Sequence, residues 1–432
     1  MIDLTQLRRE PDVVTAALVR RGVTAAEVAE VQDLDAEHRR LLQEAEAGRA
    51  EVKDLSRQVA EARRAGDTAR AEALSARSRL LGEEERQTTA AATDVAARLR
   101  AQWLALPNLP DPAAPDGRDE NDNVEVRRWW PGQDAGQPPP TYGDHQRVPH
   151  WETGAALGIL DLESGVKLAG SMFPLFRGRG ARLLRALSSF ALERHEDAFE
   201  EIRPPTLALT ETMESTGHLP KSADDMYAIE RDGLWAIPTA EVPLTSMNRG
   251  EILDEARLPL RMTALTACFR REAGAAGRDT RGLLRVHEFD KVELFAYCTP
   301  AQAPEVHADV LARAEDLLRA LGLAYRVLDL CTGDLGTSSA RTFDLEVYSP
   351  GVDKWLEVSS VSWFRDYQAR RANVRYRQAD GTTALVHTVN GSALAWARIW
   401  AALVEVGRQP DGSVRLPEVL APYLGSTLIT PR

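Results

Sequence analysis

Between Val31 and Ala101 the chain contains no proline, and Leu34, His38, Leu41, Ala45, Gly48, Val52, Leu55, Val59 and Ala62 follow one another in alternating steps of four and three. That spacing is a heptad seam, the pattern of a long helix that buries one narrow stripe. The seam stops at Ala65-Gly66-Asp67, a turn signal, and resumes through Leu74, Leu81, Ala92, Val95 and Leu99. Two long helices around a short turn make an antiparallel hairpin, and the alanines along the seam let them approach closely. Heptads equally serve dimerising coiled coils, and charge bears on the choice. Residues 31–100 hold 13 Lys/Arg and 14 Asp/Glu, whereas residues 57–79 hold six arginines (Arg57, Arg63, Arg64, Arg70, Arg77 and Arg79) against three acids. The far end of the hairpin is therefore locally positive, which suits a phosphate backbone.

That local excess sits on a chain of net charge −12, which excludes a global basic field as the means of drawing in nucleic acid. At 432 residues, 44% hydrophobic and 27% charged, the chain can build two globular domains and a large core. Cys268, Cys298 and Cys331 are scattered without a CxxC pair, which argues against a disulfide scaffold or zinc knuckle and suits a reducing compartment. The start, MIDLTQLRREPDVV, lacks an apolar signal region, and no apolar run is long enough to span a bilayer. The expectation is a cytoplasmic protein with no membrane partner.

After the hairpin, residues 102–150 are rich in Pro, Gly, Asp and Asn and read as a linker, with a strand over Val124–Trp130. Beyond it helices and strands mix. An amphipathic helix is predicted over Gly180–Glu201, stopped by Ile202-Arg203-Pro204-Pro205-Thr206. Trp235–Thr245 reads WAIPTAEVPLT; as a strand it puts Thr239 and Glu241 on one face, a hydroxyl and a carboxylate suited to a small hydroxylated cation. A site built to hydrogen-bond a hydroxyl rejects the analogue lacking it by roughly 10⁴ or more, because its polar groups are left unpaired.

Thr266–Tyr297, TACFRREAGAAGRDTRGLLRVHEFDKVELFAY, reads as two strands joined by a long arginine-rich loop. In the first run Cys268, Arg270 and Glu272 share a face; in the second His287, Phe289, Lys291, Glu293 and Phe295 do. The loop carries Gly274, Gly277, Gly282, Arg278, Asp279, Thr280 and Arg281, glycines for tight turns and arginines that can fork onto phosphate. A surface hairpin with a charged tip fits the composition as well. Against that stand Arg270, Glu272, Lys291 and Glu293, charges inside otherwise apolar strands, where unpaired burial is costly. Such charges pair with each other or with a charged ligand.

This stretch resembles motif 2 of class II aminoacyl-tRNA synthetases, and the string FRREAGAAGRDTRGLLRVHEFDKVE looks like the seryl-tRNA synthetases in particular. The resemblance implies that Arg270 holds the ATP α-phosphate and the amino-acid carboxylate. It also implies that Glu272 meets the adenine amino group, Glu293 the serine ammonium, and the loop the tRNA acceptor end. Arg271 and Val286, in the same stretch, are expected at the ATP site. The segment around Thr239, Ala240 and Glu241 would line the serine pocket together with Asn390 and Ser392. In WLEVSSVSWFRDYQARR, Glu357 and Ser360 would hold Mg²⁺ on the ATP phosphates, with Val358 and Ser359 beside the nucleotide. Oxygen donors suit that ion, but positions 357 and 360 do not share a face of a flat strand, so a bulge is required. HTVNGSALAWARIW resembles motif 3: a glycine-containing turn leading into a helix whose Arg398 would stack on adenine. Helix-then-proline at 180–206 resembles motif 1, the dimer-forming element.

The sequence departs from the family at Glu288 and His218, each where Gln is usual, at Trp363 for Asn, and at Ala393 and Ala397 for Gly. A lone histidine such as His218 is more often an ordinary surface residue. Trp363 would either reshape the pocket or pack. No GxxxxGK[ST] loop, GxGxxG fingerprint or GxSxG elbow occurs, and HEFDK is not HExxH.

The expected fold is α+β: a helical-hairpin (coiled-coil) tRNA-binding arm over 1–101, a linker and entry segment over 102–150, and a class II catalytic domain over 151–432. That last part would be an antiparallel β-sheet flanked by helices. The activity implied is that of a homodimeric serine–tRNA ligase using ATP and Mg²⁺ and charging serine tRNA, and selenocysteine tRNA with it. Alternatives are a specialised paralogue supplying seryl-tRNA to a biosynthetic pathway, a ligase loading serine onto a carrier, and a non-catalytic tRNA-binding relative.

Overall fold

The computed structural model describes residues 1–273 and 280–431. The chain divides into two compact units, Ile2–Pro107 and, with Met1, Asn108–Arg432. Of the expected arginine-rich loop, Gly274, Gly277, Arg278 and Asp279 lie outside the described residues.

The first unit opens with two short helices, α1 (Leu4–Arg9) and α2 (Pro11–Val19), and continues as α3 (Ala25–Arg64) and α4 (Thr68–Ala105). A capping box starts α3: the Thr24 hydroxyl accepts from the Glu27 N–H while the Glu27 carboxylate accepts from Thr24. At 40 residues α3 is about 60 Å long. The turn is the one foreseen: Gly66 takes φ +76°, a left-handed conformation that favours glycine, and the Asp67 carboxylate accepts from the Arg70 N–H at 3.0 Å to start α4. The seam is buried at Leu34, Leu41, Ala45, Leu55 and Ala62 on α3 and at Ala92, Val95 and Leu99 on α4. Arg49–Glu85 (2.9 Å) and Arg77–Glu51 (2.8 Å) bridge the helices at the surface, where each contributes about 0–1 kcal/mol. The apolar seam therefore dominates the pairing.

The second unit is built on eight strands. These are β1 (Val124–Trp129), β2 (Glu200–Glu201), β3 (Leu260–Phe269), β4 (Glu288–Cys298), β5 (Tyr325–Asp329), β6 (Arg341–Ser349), β7 (Lys354–Arg365) and β8 (His387–Ala395). Their order across the sheet is β1-β5-β6-β7-β8-β4-β3-β2, antiparallel except at the β2–β3 edge. Helices α5 (Arg179–His195), α6 (Ala303–Ala320) and α7 (Trp396–Val406) cover one face. On β4 the alternation is clean. Val292, Leu294, Ala296 and Cys298 enter the helix-side core with Trp396 and Trp400; Phe295 and Tyr297 enter a second cluster on the opposite face. Lys291 and Glu293 share that opposite face, so charge and core are sorted by a period of two.

The helix expected to reach Glu201 stops at His195: the chain turns through Ala198 and Phe199, and Glu200–Glu201 become the parallel edge strand beside Met262–Thr263. Gly391 is not in a turn but inside β8, where a Cβ would sit 2.6 Å from Val310 Cγ1 and 2.9 Å from Val361 Cγ2. Among the described residues no helix is long and apolar enough to cross a membrane.

Candidate active site

A cavity of about 870 Å³ opens on the face of the sheet away from α5–α7. It gathers Arg270, Glu272, Val286, Thr239, Glu241, Glu293, Asn390, Ser392, Glu357, Val358, Ser359, Ser360 and Arg398. Two expected residues stay out. Ala240 is fully buried in the core beside Leu244 and Phe295. Arg271 follows Arg270 and so points the other way, its guanidinium donating to the Asp224 carbonyl at 3.2 Å.

At one end lies a network of buried charges. Lys291 Nζ donates to Thr239 Oγ1 at 2.8 Å, and Thr239 Oγ1 donates to Glu293 Oε2 at 2.9 Å. Lys291 and Glu293 form an ion pair, both less than a tenth exposed. Glu241 accepts from Gln368 Nε2 at 2.5 Å, and Gln368 Oε1 accepts from Thr388 Oγ1 at 2.6 Å. Burial pushes the Glu241 and Glu293 carboxyls above their ordinary value, a shift that Gln368 opposes at Glu241 and Lys291 at Glu293. Thr239 and Glu241 come together differently from the expected strand. Thr239 lies in a bend, its carbonyl accepts from the Val242 N–H at 3.3 Å and its Oγ1 from the Glu241 N–H at 3.2 Å, and Glu241 begins a short helix to Ser246.

Arg270 lines the same cavity. Its guanidinium lies 5.3 Å over the Phe289 ring and, among the described residues, has no hydrogen-bond or ion-pair partner. A cation held by stacking with all its donors open is poised for an anion. Glu272 lies beyond the end of β3 in a left-handed conformation, φ +51°, and is ion-paired with Arg285. Arg398, in the first turn of α7, donates from Nε to the Leu284 carbonyl at 3.1 Å and from Nη1 to the Glu357 carbonyl at 2.7 Å.

The bulge required between Glu357 and Ser360 is present. Opposite Leu345 stands Ser359 and opposite Glu346 stands Glu357, so Val358 is the extra residue of β7. It flips the alternation, and Glu357, Ser360 and Ser362 all face the cavity while Val358 and Val361 pack in the helix-side core. Beside them on β6 Asp344 faces the same space, with its Oδ1 buried and without a partner among the described residues. Burial and the charge of Glu357 push that carboxyl well above its ordinary value. An all-oxygen donor set with an orphaned carboxylate oxygen fits Mg²⁺, which keeps several waters and takes few protein ligands. Among the described residues no group of three or more His, Cys, Asp or Glu could hold a metal ion.

His218 is a correction: it lines the cavity rather than the surface, its Nδ1 2.8 Å from Thr216 Oγ1, and burial pushes it down to about 4. Trp363 packs: its Nε1 donates to His387 Nδ1 at 3.2 Å and its ring lies against the helix-side core, outside the cavity. Sequence reasoning missed Gln368 and Arg285, which orient Glu241 and Glu272; the signal for both was the need of an inward carboxylate for a donor.

In the helical unit Arg57, Arg63, Arg64, Arg70, Arg77 and Arg79 are all exposed around the helical turn. Arg57 pairs with Asp54 and Arg77 with Glu51, while Arg63, Arg64, Arg70 and Arg79 have no ion-pair partner among the described residues.

The profile described as "Seryl-tRNA synthetase N-terminal domain" matches residues 1–110, and that described as "tRNA synthetase class II core domain (G, H, P, S and T)" matches residues 227–407. The chain is 48% identical over 99% of its length to the whole of the serine–tRNA ligase of Gemmatimonas aurantiaca. It is 42% identical over its full length to the whole of that of Fervidobacterium nodosum. Among solved structures, the seryl-tRNA synthetase of Pyrococcus horikoshii complexed with ATP superposes with a TM-score of 0.91, at 35% identity and 100% of both chains. The cytoplasmic serine–tRNA ligase of Naegleria fowleri in complex with AMP gives 0.85 at 25% identity, over 100% of this chain and 99% of that one. With relatives this similar across its entire length, the chain belongs to the seryl-tRNA synthetase family.

Proposed function

We propose that the cavity activates serine with ATP and passes the seryl group to the 3′ end of serine tRNA. The observation that carries this is Arg270, a guanidinium with no hydrogen-bond or ion-pair partner among the described residues, in the cavity that also holds the Lys291–Thr239–Glu293 network and Arg398. Serine's ammonium fits against Glu293 and Glu241 and its hydroxyl among Thr239, Asn390 and Ser392, while its carboxylate turns toward Arg270. An oxygen of that carboxylate attacks the α-phosphorus in line, the bond to the β-phosphate oxygen breaks, and pyrophosphate leaves. Arg270 neutralises charge gathering on the α-phosphoryl oxygens, a contribution worth roughly 10²–10³ in rate for one well-placed donor. No side chain has to take a proton in this step, so positioning does most of the catalysis. A terminal ribose hydroxyl of the tRNA then attacks the adenylate carbonyl, the bond from that carbon to the phosphate oxygen breaks, and AMP departs with the hydroxyl's proton passing to its phosphate.

Glu357 and Ser360 would hold Mg²⁺ here, which when bound supplies positive charge to the phosphates. Arg398 and Val286 flank the adenine, and Glu272 meets its amino group. The helical unit is the tRNA-binding arm, its exposed arginines the contact, and selenocysteine tRNA is a second substrate for the same surface. The working enzyme is a homodimer.

Replacing Arg270 with Ala should lower serine-dependent ATP–pyrophosphate exchange by at least about 10²-fold with the fold intact by circular dichroism. Exchange within a few fold of the unaltered enzyme would remove Arg270 from the mechanism.

A further inference from the structure

His150 and Glu405 are fully buried, distant from each other in sequence, and touch none of the residues assigned to substrate. Their donors and acceptors can be assigned without ambiguity. The Leu283 backbone N–H, which can only donate, lies 2.9 Å from His150 Nε2, so Nε2 is the unprotonated nitrogen. The ring proton is then on Nδ1, which donates to Glu405 Oε1 at 2.8 Å; the His150 backbone N–H donates to the same oxygen at 2.9 Å. The other oxygen accepts from Gly351 N–H at 3.0 Å and from the Ser349 hydroxyl. Two glycines make room for the pair. A Cβ on Gly282 would fall 2.5 Å from His150 Nε2, and one on Gly351 would fall 2.6 Å from Glu405 Cδ.

Glu405 stands near the end of α7, the helix whose first turn carries Arg398. Arg398 binds the Leu284 carbonyl at 3.1 Å. One helix thus grips the backbone of two neighbouring residues, Leu283 N–H through His150 and Leu284 C=O through Arg398. Leu283, Leu284 and Val286 are a wall of the cavity. We propose that His150 is a positioning residue for nucleotide binding: with Glu405 fixing its tautomer, it pins the 283–286 wall to α7 before ATP arrives. The gap between Arg398 and that wall is then set in advance, and the nucleotide does not have to order it. This rests on the reading of the cavity as an ATP site.

Two substitutions separate positioning from bulk stability. In His150→Gln the side-chain oxygen falls near the place of Nε2 and keeps an acceptor for Leu283 N–H. In His150→Asn the amide nitrogen falls near the place of Nδ1, so the donor to Glu405 is kept and the acceptor for Leu283 is lost. In serine-dependent ATP–pyrophosphate exchange with the full-length enzyme, H150N should raise KM for ATP about tenfold and leave KM for serine within about twofold. H150Q should stay within about threefold of the unaltered enzyme for both. Equal losses in the two variants, or equal shifts in both KM values, would overturn the proposal. Should H150N not fold, amide exchange in the unaltered enzyme decides: the 283–286 segment should be protected without nucleotide. Free exchange there, with protection appearing only on addition of ATP, would overturn it. An unaltered enzyme silent in the exchange assay would count against the functional reading instead, and the amide measurement would still decide the positioning.

Discussion

Burying an unpaired charge is costly, and at the level of single residues the cavity is a set of solutions to that cost. Lys291 and Glu293 neutralise each other, and Thr239 donates to one and accepts from the other. Thr239→Val removes both bonds, and the one accepted from the Glu241 N–H, while keeping shape. KM for serine should rise at least about tenfold while KM for ATP stays near its original value; equal changes in both would mean that Thr239 serves the fold rather than the amino acid. The pairing was legible in the sequence, because charges at alternate positions of an apolar strand need partners. Other placements were not. Nothing in a string marks His218 as lining a cavity, since its depth comes from the packing of distant segments. Ala240 and Arg271 were carried along with their neighbours, although adjacent residues seldom share a direction. His307 offers a test of burial itself. Its Nε2 lies 3.1 Å from the Val361 carbonyl, and burial pushes the ring from 6.5 down to about 4. Unfolding therefore takes up a proton between about pH 6.5 and 4, so this group favours the fold above that window and the benefit fades as pH falls through it. His307→Gln should flatten the pH dependence of unfolding free energy there by up to about one proton in denaturant titrations at stepped pH. An unchanged slope would contradict the assignment.

Among the elements, irregularities shape the cavity. The extra residue Val358 in β7 brings Glu357 and Ser360 to one side, and a regular strand would have separated them. Once the family resemblance put both residues at one ion, their spacing required a bulge, because positions three apart do not share a face of a flat strand. Two other segments misled. TAE alternates over only three residues, too few to tell a strand from a turn entering a helix, and the structure makes it the latter. NGS looked like a turn because glycine and asparagine favour turns, yet Gly391 lies inside β8 because Val310 and Val361 leave no room for a Cβ. Gly391→Ala should accordingly cost about 1–3 kcal/mol, read as a lower denaturant midpoint at unchanged slope. A midpoint within error of the original would show that the β8–α6 contact yields.

At the scale of the whole molecule the heptad seam and the turn at Gly66 were readable in full, since local periodicity sets a long hairpin. The strand order β1-β5-β6-β7-β8-β4-β3-β2 was not, because it depends on contacts far apart in sequence. The proposed function divides chemistry from recognition, since the charged cavity belongs to one unit and the exposed arginines to the other. Exchanging Arg63, Arg64, Arg70 and Arg79 for Glu should leave serine-dependent pyrophosphate exchange intact. KM for tRNA in charging should rise by at least about tenfold, with a shallower dependence on salt. Loss of pyrophosphate exchange in that variant would contradict the division. The most direct test of the central claim, that this cavity joins serine to ATP, is ATP–pyrophosphate exchange by the unaltered protein with each of the twenty amino acids in turn. Serine alone should support rapid exchange; silence with serine, or equal exchange with alanine or threonine, would contradict it.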